Sequence, residues 1–258
     1  MRASTPFYYA AVLLFPSREV AVAAGRLQLR WYGLAYAAAF LLAWRLLLKL
    51  GRRLALPRGD WLTVATWAAA GTLLGGRLGF VLLYELDFFW HHPEQIFFLS
   101  GGGMSAHGGF LGVGIGLWLA ARQTGVSYLL LLDTAVIPAG LGIGLGRLAN
   151  YINRELYVSP PAFVLGAAEG VLPALLAWQL LRRGAAAGRP AGIFLAGYAI
   201  VRVLTEFLRV QPYGSYWGLT PGQWYSLPLL AAGVWLLMRP QDTAYPAAAH
   251  SRRGTRKA

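Results

Sequence analysis

A chain of 258 residues that is 57% hydrophobic and 13% charged carries more apolar surface than a soluble domain of that size needs, and its long runs with few charges indicate a polytopic helical membrane protein. The absence of cysteine excludes a disulfide framework, a thiolate metal site, a thiol nucleophile and lipoprotein-type lipidation of the chain itself. The net charge of +13 falls mostly in short loops and the C-terminal stretch, which suits anionic lipid head groups and argues against nucleic acid as a partner.

Residues 1–28 hold a short apolar stretch, Phe7 to Phe15, after Arg2, and Ala21-Val-Ala23 has the small residues of a cleavage site. Pro16-Ser-Arg-Glu interrupts that pattern, so the expectation is an uncleaved segment lying at the membrane surface. A window near 20 residues then places about seven spans, at 29–48, 61–84, 107–122, 129–151, 162–181, 191–208 and 221–238. Together they form an all-α membrane domain over 29–238, followed by a basic tail over 239–258.

The connection after the first span carries Lys49, Arg52, Arg53 and Arg58, and Arg182, Arg183 and Arg189 follow the fifth. Arg252, Arg253, Arg256 and Lys257 close the chain, whereas the connection after the second span is acidic, with Glu85, Asp87 and Glu94. The positive-inside rule makes the basic segments cytoplasmic, with the N-terminus outside and the C-terminus inside. Trp217 and Trp224, near the start of the seventh span, fit an interfacial aromatic belt.

This topology brings polar residues from different spans to one depth. Tyr32 begins an inward-running span and Arg77 comes late in an outward-running one. His107 opens the third span, Arg147, Asn150 and Asn153 close the fourth, and Arg202 and Glu206 lie late in the sixth. All converge on the outer-leaflet half, which a shared polar cavity would explain.

Charged and amide groups inside a span are costly, so a cluster of them marks a working site. Arg147, Asn150 and Asn153 are spaced by three and share one helical face, with Glu155 just beyond. Arg147 and Arg202 lie too deep to be snorkelling loop residues, and guanidinium binds phosphate in a planar, bidentate way. In the bland alternative Glu155 and Glu206 simply neutralise them, Glu206 being four residues after Arg202. Arg77 is open between a buried ion pair with Glu85 or Glu206 and a substrate role. His107 lies among Gly101 to Gly103, Gly108 and Gly109, whose backbone permits close approach to a reactive ring. Glu169 reads as a helix-packing partner for a Ser, Trp or Arg.

His91 and His92 have no matching constellation, so no metal or other cofactor is expected. The glycines at 112, 114, 116, 142, 144 and 146 follow no strand and read as packing residues, not a dinucleotide cradle. No Gly-x-Ser-x-Gly, His-Glu-x-x-His or Walker-type pattern is present, so the nucleophile of any reaction would arrive with a substrate.

Taken in order, the motifs are Trp31-Tyr32-Gly33, Gly75-Gly76-Arg77-Leu-Gly79 and Gly102-Gly-Met-Ser-Ala-His107-Gly-Gly. Gly146-Arg147-Leu-Ala-Asn150-Tyr-Ile-Asn153-x-Glu155 follows, then Tyr198-x-x-x-Arg202-x-x-x-Glu206-Phe-x-Arg209, then Gly222-Gln223 with Ser226. Over roughly 29–238 this set closely resembles the prolipoprotein diacylglyceryl transferase family of the bacterial inner membrane. The resemblance implies a seven-span enzyme that moves the diacylglyceryl group of phosphatidylglycerol to the lipobox cysteine of a preprolipoprotein, releasing glycerol phosphate. It implies that Arg147 and Arg202 hold the lipid phosphate and that His107 and Tyr32 serve catalysis. Arg77, Asn150, Asn153, Glu155, Glu206 and Arg209 would line the substrate site, and His107 is a plausible general base.

The chain departs from the family after Glu155, where Leu156-Tyr157-Val158-Ser159 replaces the usual Leu-Trp-Gly-Arg. Only Ser159-Pro160-Pro161-Ala162-Phe163-Val164-Leu165 then leads to the fifth span, where typical members insert an extracytoplasmic head and a His-Pro-x-Gln-x-Tyr-Glu segment. The expectation is a member without the head and with one wall of the site made apolar. Three readings stay open: a minimal transferase, a divergent relative that uses or merely binds phosphatidylglycerol, and a non-enzymatic lipid or anion transporter.

Overall fold

The computed structural model describes residues 12–14, 17, 19–24, 27–54, 58–98, 102–157, 159–210 and 213–240. The basic tail over 239–258 therefore lies almost wholly outside the described residues, as does Phe7 to Ala11 of the N-terminal apolar stretch.

Seven long helices carry the fold: α1 (Trp31–Leu54), α2 (Arg58–Leu83), α4 (Ala106–Thr124), α5 (Tyr128–Asn153), α6 (Pro160–Arg182), α7 (Arg189–Thr205) and α8 (Pro221–Met238). Each overlies one of the seven expected spans. Five are long and apolar enough to cross a membrane: α1, α2, α5, α6 and α7. The other two are less uniform. In 19 residues α4 holds His107, Arg122, Gln123 and five glycines, while α8 has 18 residues and opens with Pro221, Gly222 and Gln223.

The chain is not wholly helical. Strands β1 (Val12–Leu14), β2 (Val20–Ala24) and β3 (Leu27–Arg30) form an antiparallel three-stranded sheet ahead of α1. Ala21, in the stretch that resembles a cleavage site, is buried in β2, and β2 pairs with β3. The acidic connection after α2 is also structured, as the short helix α3 (Leu86–His91) and a 3-10 turn at Pro93–Phe97.

Small residues set how closely the helices approach. Gly71, Gly75 and Gly79 of α2 face Gly108 and Gly112 of α4, and Gly116, four residues further on, meets the backbone of Trp67. A Cβ on Gly112 would stand 2.0 Å from the Gly71 carbonyl oxygen, and one on Gly108 2.3 Å from that of Gly75. The two backbones are therefore in direct contact, the packing that apolar helices use when no hydrophobic force separates them from lipid. Gly140 of α5 and Gly170 of α6 make a similar crossing, and a Cβ on either would lie 2.4 Å from the other's carbonyl oxygen. That crossing seats Glu169 against α5.

α7 begins at Gly188, whose φ of 91° suits glycine and which offers no side chain to cap the helix. The buried Asp133 of α5 supplies the cap: its Oδ2 accepts from the Gly188 N–H at 2.6 Å and its Oδ1 from the Ala191 N–H at 2.8 Å. The apolar core beside it comprises Val136 and Ile137 of α5, Ala174 and Ala177 of α6, Phe194 of α7 and Leu236 of α8.

Candidate active site

Polar residues of α5, α7 and the α5–α6 turn meet around one carboxylate, that of Glu169, which is fully buried in α6. Arg147 of α5 donates from Nη2 to Glu169 Oε2 at 2.9 Å, and Arg202 Nη1 of α7 lies 3.8 Å from Oε1. Tyr157 and Thr205 each donate a hydroxyl hydrogen bond to Oε1. A buried carboxylate costs several kcal/mol unless paired and hydrogen-bonded, and here both oxygens are engaged.

Each arginine has a second partner. Arg147 Nη1 donates to Asn150 Oδ1 at 3.1 Å, which the three-residue spacing on α5 permits, and its guanidinium lies over the Tyr157 ring at 5.1 Å. Arg202 pairs with Glu206, four residues on, and Glu206 also accepts from Thr220 at 2.6 Å and stands 3.7 Å from Arg209 Nη1. A Cβ on Gly222 would lie 2.5 Å from Arg202 Nη2 and 2.6 Å from Glu206 Oε1, so the glycine lets this ion pair rest directly on the first turn of α8.

Three guanidiniums, those of Arg147, Arg202 and Arg209, thus face the two carboxylates of Glu169 and Glu206. One positive charge is left over. Arg147 Nε and Arg209 Nε are buried donors without a hydrogen-bond partner, and so is the hydroxyl of Tyr198, one turn before Arg202. Burial, with Arg202 and Arg147 nearby, pushes the Arg209 guanidinium below its ordinary value, as crowding of like charge must. Surplus charge beside unused N–H donors is what an anion-binding site requires.

Towards α1, Asn150 donates from Nδ2 to the Tyr32 hydroxyl. Asn153 Nδ2 donates to Glu155 Oε1 at 3.1 Å, at the exposed end of α5. On the other side His107, in the first turn of α4, places Nε2 3.3 Å from Ser226 Oγ of α8. Its ring lies 5.7 Å from Tyr225 and 6.4 Å from Tyr198, which precedes Arg202 by one turn of α7.

Residues 19–239 match the family described as prolipoprotein diacylglyceryl transferase. Proteins named phosphatidylglycerol–prolipoprotein diacylglyceryl transferase are 38% identical in Ruegeria pomeroyi, over 82% of this chain and 90% of the relative, and 38% in Rhodospirillum centenum, over 87% and 92%. That of Nitratidesulfovibrio vulgaris is 35% identical over 92% of this chain and all of its own. The chain belongs to the prolipoprotein diacylglyceryl transferase family.

Within the matched region this chain lacks residues that a relative carries: the match to the Nitratidesulfovibrio protein runs over 269 positions while covering 92% of 258 residues. The α5–α6 connection runs only from Arg154 to Ser159 and leaves no room for a head. Arg154 at φ 56° and Leu156 at φ 59° turn the chain sharply, and Leu156 accepts from the Val210 N–H at 2.9 Å. The turn drives Tyr157 inward, where it is fully buried.

Three expectations change. The wall expected to be apolar is polar, because Tyr157 and Glu169 fill it. Arg147 is balanced by Glu169, not by Glu155, which lies at the exposed end of α5. Arg77 stands apart from the cluster and pairs with neither Glu85 nor Glu206. Its Nε donates to Ile96 O, Nη1 to Gly102 O and Gly103 O, and Nη2 to Gln95 O and Phe98 O, at 2.6–3.0 Å. All five N–H groups are engaged by the α2–α4 connection, with Phe89 beneath the guanidinium at 5.0 Å, so none is left for a lipid phosphate.

Glu169, Tyr157 and Thr205 are the residues that sequence reasoning undervalued. A single signal pointed to Glu169: it is the lone acidic residue of α6 and lies mid-helix.

Proposed function

We propose that this chain transfers the diacylglyceryl group of phosphatidylglycerol to the lipobox cysteine of preprolipoproteins, with release of glycerol phosphate. One observation carries this reading: a largely buried cluster of three arginines and two glutamates holds a surplus positive charge and unused N–H donors, in a chain of the diacylglyceryl transferase family. The protein is a multi-pass protein of the bacterial cytoplasmic membrane, with seven spans, the N-terminus outside and the C-terminus inside. This orientation puts the cluster at the depth of the outer leaflet.

In this mechanism Arg147 and Arg202 bind the phosphate of phosphatidylglycerol, with Arg209 supplying the charge in excess. His107 accepts the proton of the incoming cysteine thiol, and the thiolate attacks the glyceryl carbon that bears the phosphate. The carbon–oxygen bond breaks, glycerol phosphate leaves with the arginines neutralising its growing charge, and the proton passes to the departing phosphate. Tyr32, Asn150, Asn153 and Glu155 form the rim facing α1, and Glu206 orients Arg202. Arg77 holds the α2–α4 connection that leads to His107.

The purified protein incubated with phosphatidylglycerol and a lipobox-cysteine peptide should yield a diacylglyceryl adduct by mass spectrometry, absent in Arg147→Ala. Binding of phosphatidylglycerol with no adduct would replace this proposal with a relative that uses another acceptor. Lipid flux in proteoliposomes without any thioether product would favour a transporter.

A further inference from the structure

The contact between α4 and α8 determines which nitrogen of His107 can take a proton. Ser226 is fully buried, and its hydroxyl has one proton to give. Two acceptors compete for it. Gly222 O, one turn back on α8, lies 2.7 Å from Oγ, whereas His107 Nε2 lies 3.3 Å away. Hydroxyl donors favour about 2.7–2.8 Å, so the proton resides on the bond to Gly222. Ser226 Oγ then turns only lone pairs towards the imidazole, and a contact between two lone pairs would be repulsive.

We infer that Ser226 is a positioning residue that holds neutral His107 with its proton on Nε2, which leaves Nδ1 as the one basic atom of the ring. Tyr225 and Tyr198 meet the imidazole at interplanar angles of 66° and 67°, which resist the ring rotation that would exchange its two edges. Gly222 connects this arrangement to the phosphate clamp. The residue whose carbonyl orients Ser226 also seats the Arg202–Glu206 pair.

The inference refines the base role of His107 proposed above and rests on it for its catalytic meaning only. The thiol S–H bond would break as its proton passes to the Nδ1 lone pair. The resulting imidazolium keeps its Nε2–H against Ser226 and returns the Nδ1 proton to the leaving phosphate. A hydroxyl whose proton is already committed can stabilise that imidazolium without moving.

The test is nitrogen-15 NMR of the full chain, labelled at histidine, in lipid nanodiscs, with His107 assigned by comparison with His107→Gln among the four histidines. The expected wild-type spectrum has Nε2 protonated and Nδ1 carrying a lone pair. In Ser226→Ala the proton should become shared between the two nitrogens. That variant should also lose about five- to tenfold in kcat with the KM for phosphatidylglycerol unchanged, chiefly because the imidazolium formed in the reaction loses the hydrogen bond from its Nε2–H to Ser226.

Protonation on Nδ1 in the wild type, a doubly protonated ring at neutral pH, or an unaltered spectrum in Ser226→Ala would each overturn the inference. Full turnover by His107→Gln would instead remove the base role and leave the tautomer result intact.

Discussion

Glu169 on α6 and Arg147 on α5 meet at 2.9 Å between Oε2 and Nη2, and the carboxylate carries more of the site than the arginine does. Glu169 also faces Arg202 and accepts from Tyr157 and Thr205, so it ties α5, α6, α7 and the α5–α6 turn to one point. Arg147 ties together α5, α6 and that turn. Removing the hub should therefore damage the fold, whereas removing a spoke should damage the chemistry.

Glu169→Gln leaves two guanidiniums facing each other with no carboxylate between them. Breaking a buried ion pair by deleting one partner costs about 3–5 kcal/mol, and this deletion affects two. The variant should show a large fall in thermal unfolding temperature in detergent. Arg147→Ala leaves Glu169 with Arg202 and both hydroxyls, so most of the unfolding temperature should survive while thioether formation is lost. Equal unfolding temperatures for the two variants would remove Glu169 from the centre of the site.

Tyr157→Phe deletes one donor to a buried carboxylate and keeps the ring beneath Arg147. A hydrogen bond to a charged group contributes about 1.5–3 kcal/mol, so the loss should appear in denaturant or thermal unfolding without abolishing the fold. Turnover should fall in part, because Glu169 sets the spacing of Arg147 and Arg202. Tyr157→Ala should do worse on both measures, since it also leaves a cavity against Gly166, where a Cβ would stand 3.0 Å from the Tyr157 ring. A phenylalanine variant with unaltered stability and turnover would mean that Thr205 alone suffices.

Arg77 separates structure from chemistry in another way. Lysine in its place keeps the charge but offers three donors in place of five, so Arg77→Lys leaves carbonyls of the α2–α4 connection unsatisfied. Proteolysis should then cut within residues 95–103 sooner than in the wild type. The fraction that stays folded should bind phosphatidylglycerol with unchanged affinity, because the cluster around Glu169 is untouched. A weakened affinity in folded Arg77→Lys would return Arg77 to the lipid site.

How much of this was legible in the chain depends on where each partner lies in sequence. The long helices were legible because length and hydropathy are local, and each falls on an apolar stretch marked in the sequence, five of them long and apolar enough to cross a membrane. Arg147, Asn150 and Arg202 with Glu206 were legible because three- and four-residue spacings fix a shared helical face. Glu169 was not, since its partners sit 12, 22 and 36 residues away on other elements. Arg77 misled because its partners are main-chain carbonyls, which leave no trace in side-chain patterns. The hairpin ahead of α1 had one local signal, the alternation of Leu27-Gln28-Leu29-Arg30, which is too short to outweigh the apolar composition around it.

The cap on α7 gives the last prediction. Arg202 lies near the end of a 17-residue helix whose N-cap is Gly188, so the position of its guanidinium depends on how that helix is anchored. The anchor is Asp133, buried in α5 and bonded to the N–H groups of Gly188 and Ala191. Asp133→Asn keeps an acceptor of the same shape but loses the charge that favours a helix N-terminus, and one of its two polar atoms becomes a donor facing a donor. Asp133→Ala removes both acceptors and exposes the cost of an uncapped helix start, about 0.5–2 kcal/mol for a cap and more where the N–H groups are buried. Unfolding temperature should therefore fall in the order wild type, asparagine, alanine. Affinity for phosphatidylglycerol should fall in the same order, because a frayed first turn lets α7 shift and carry Arg202 away from Glu169. A loss of stability with affinity unchanged would show that the far end of α7 is held by the Arg202–Glu206–Thr220 contacts alone.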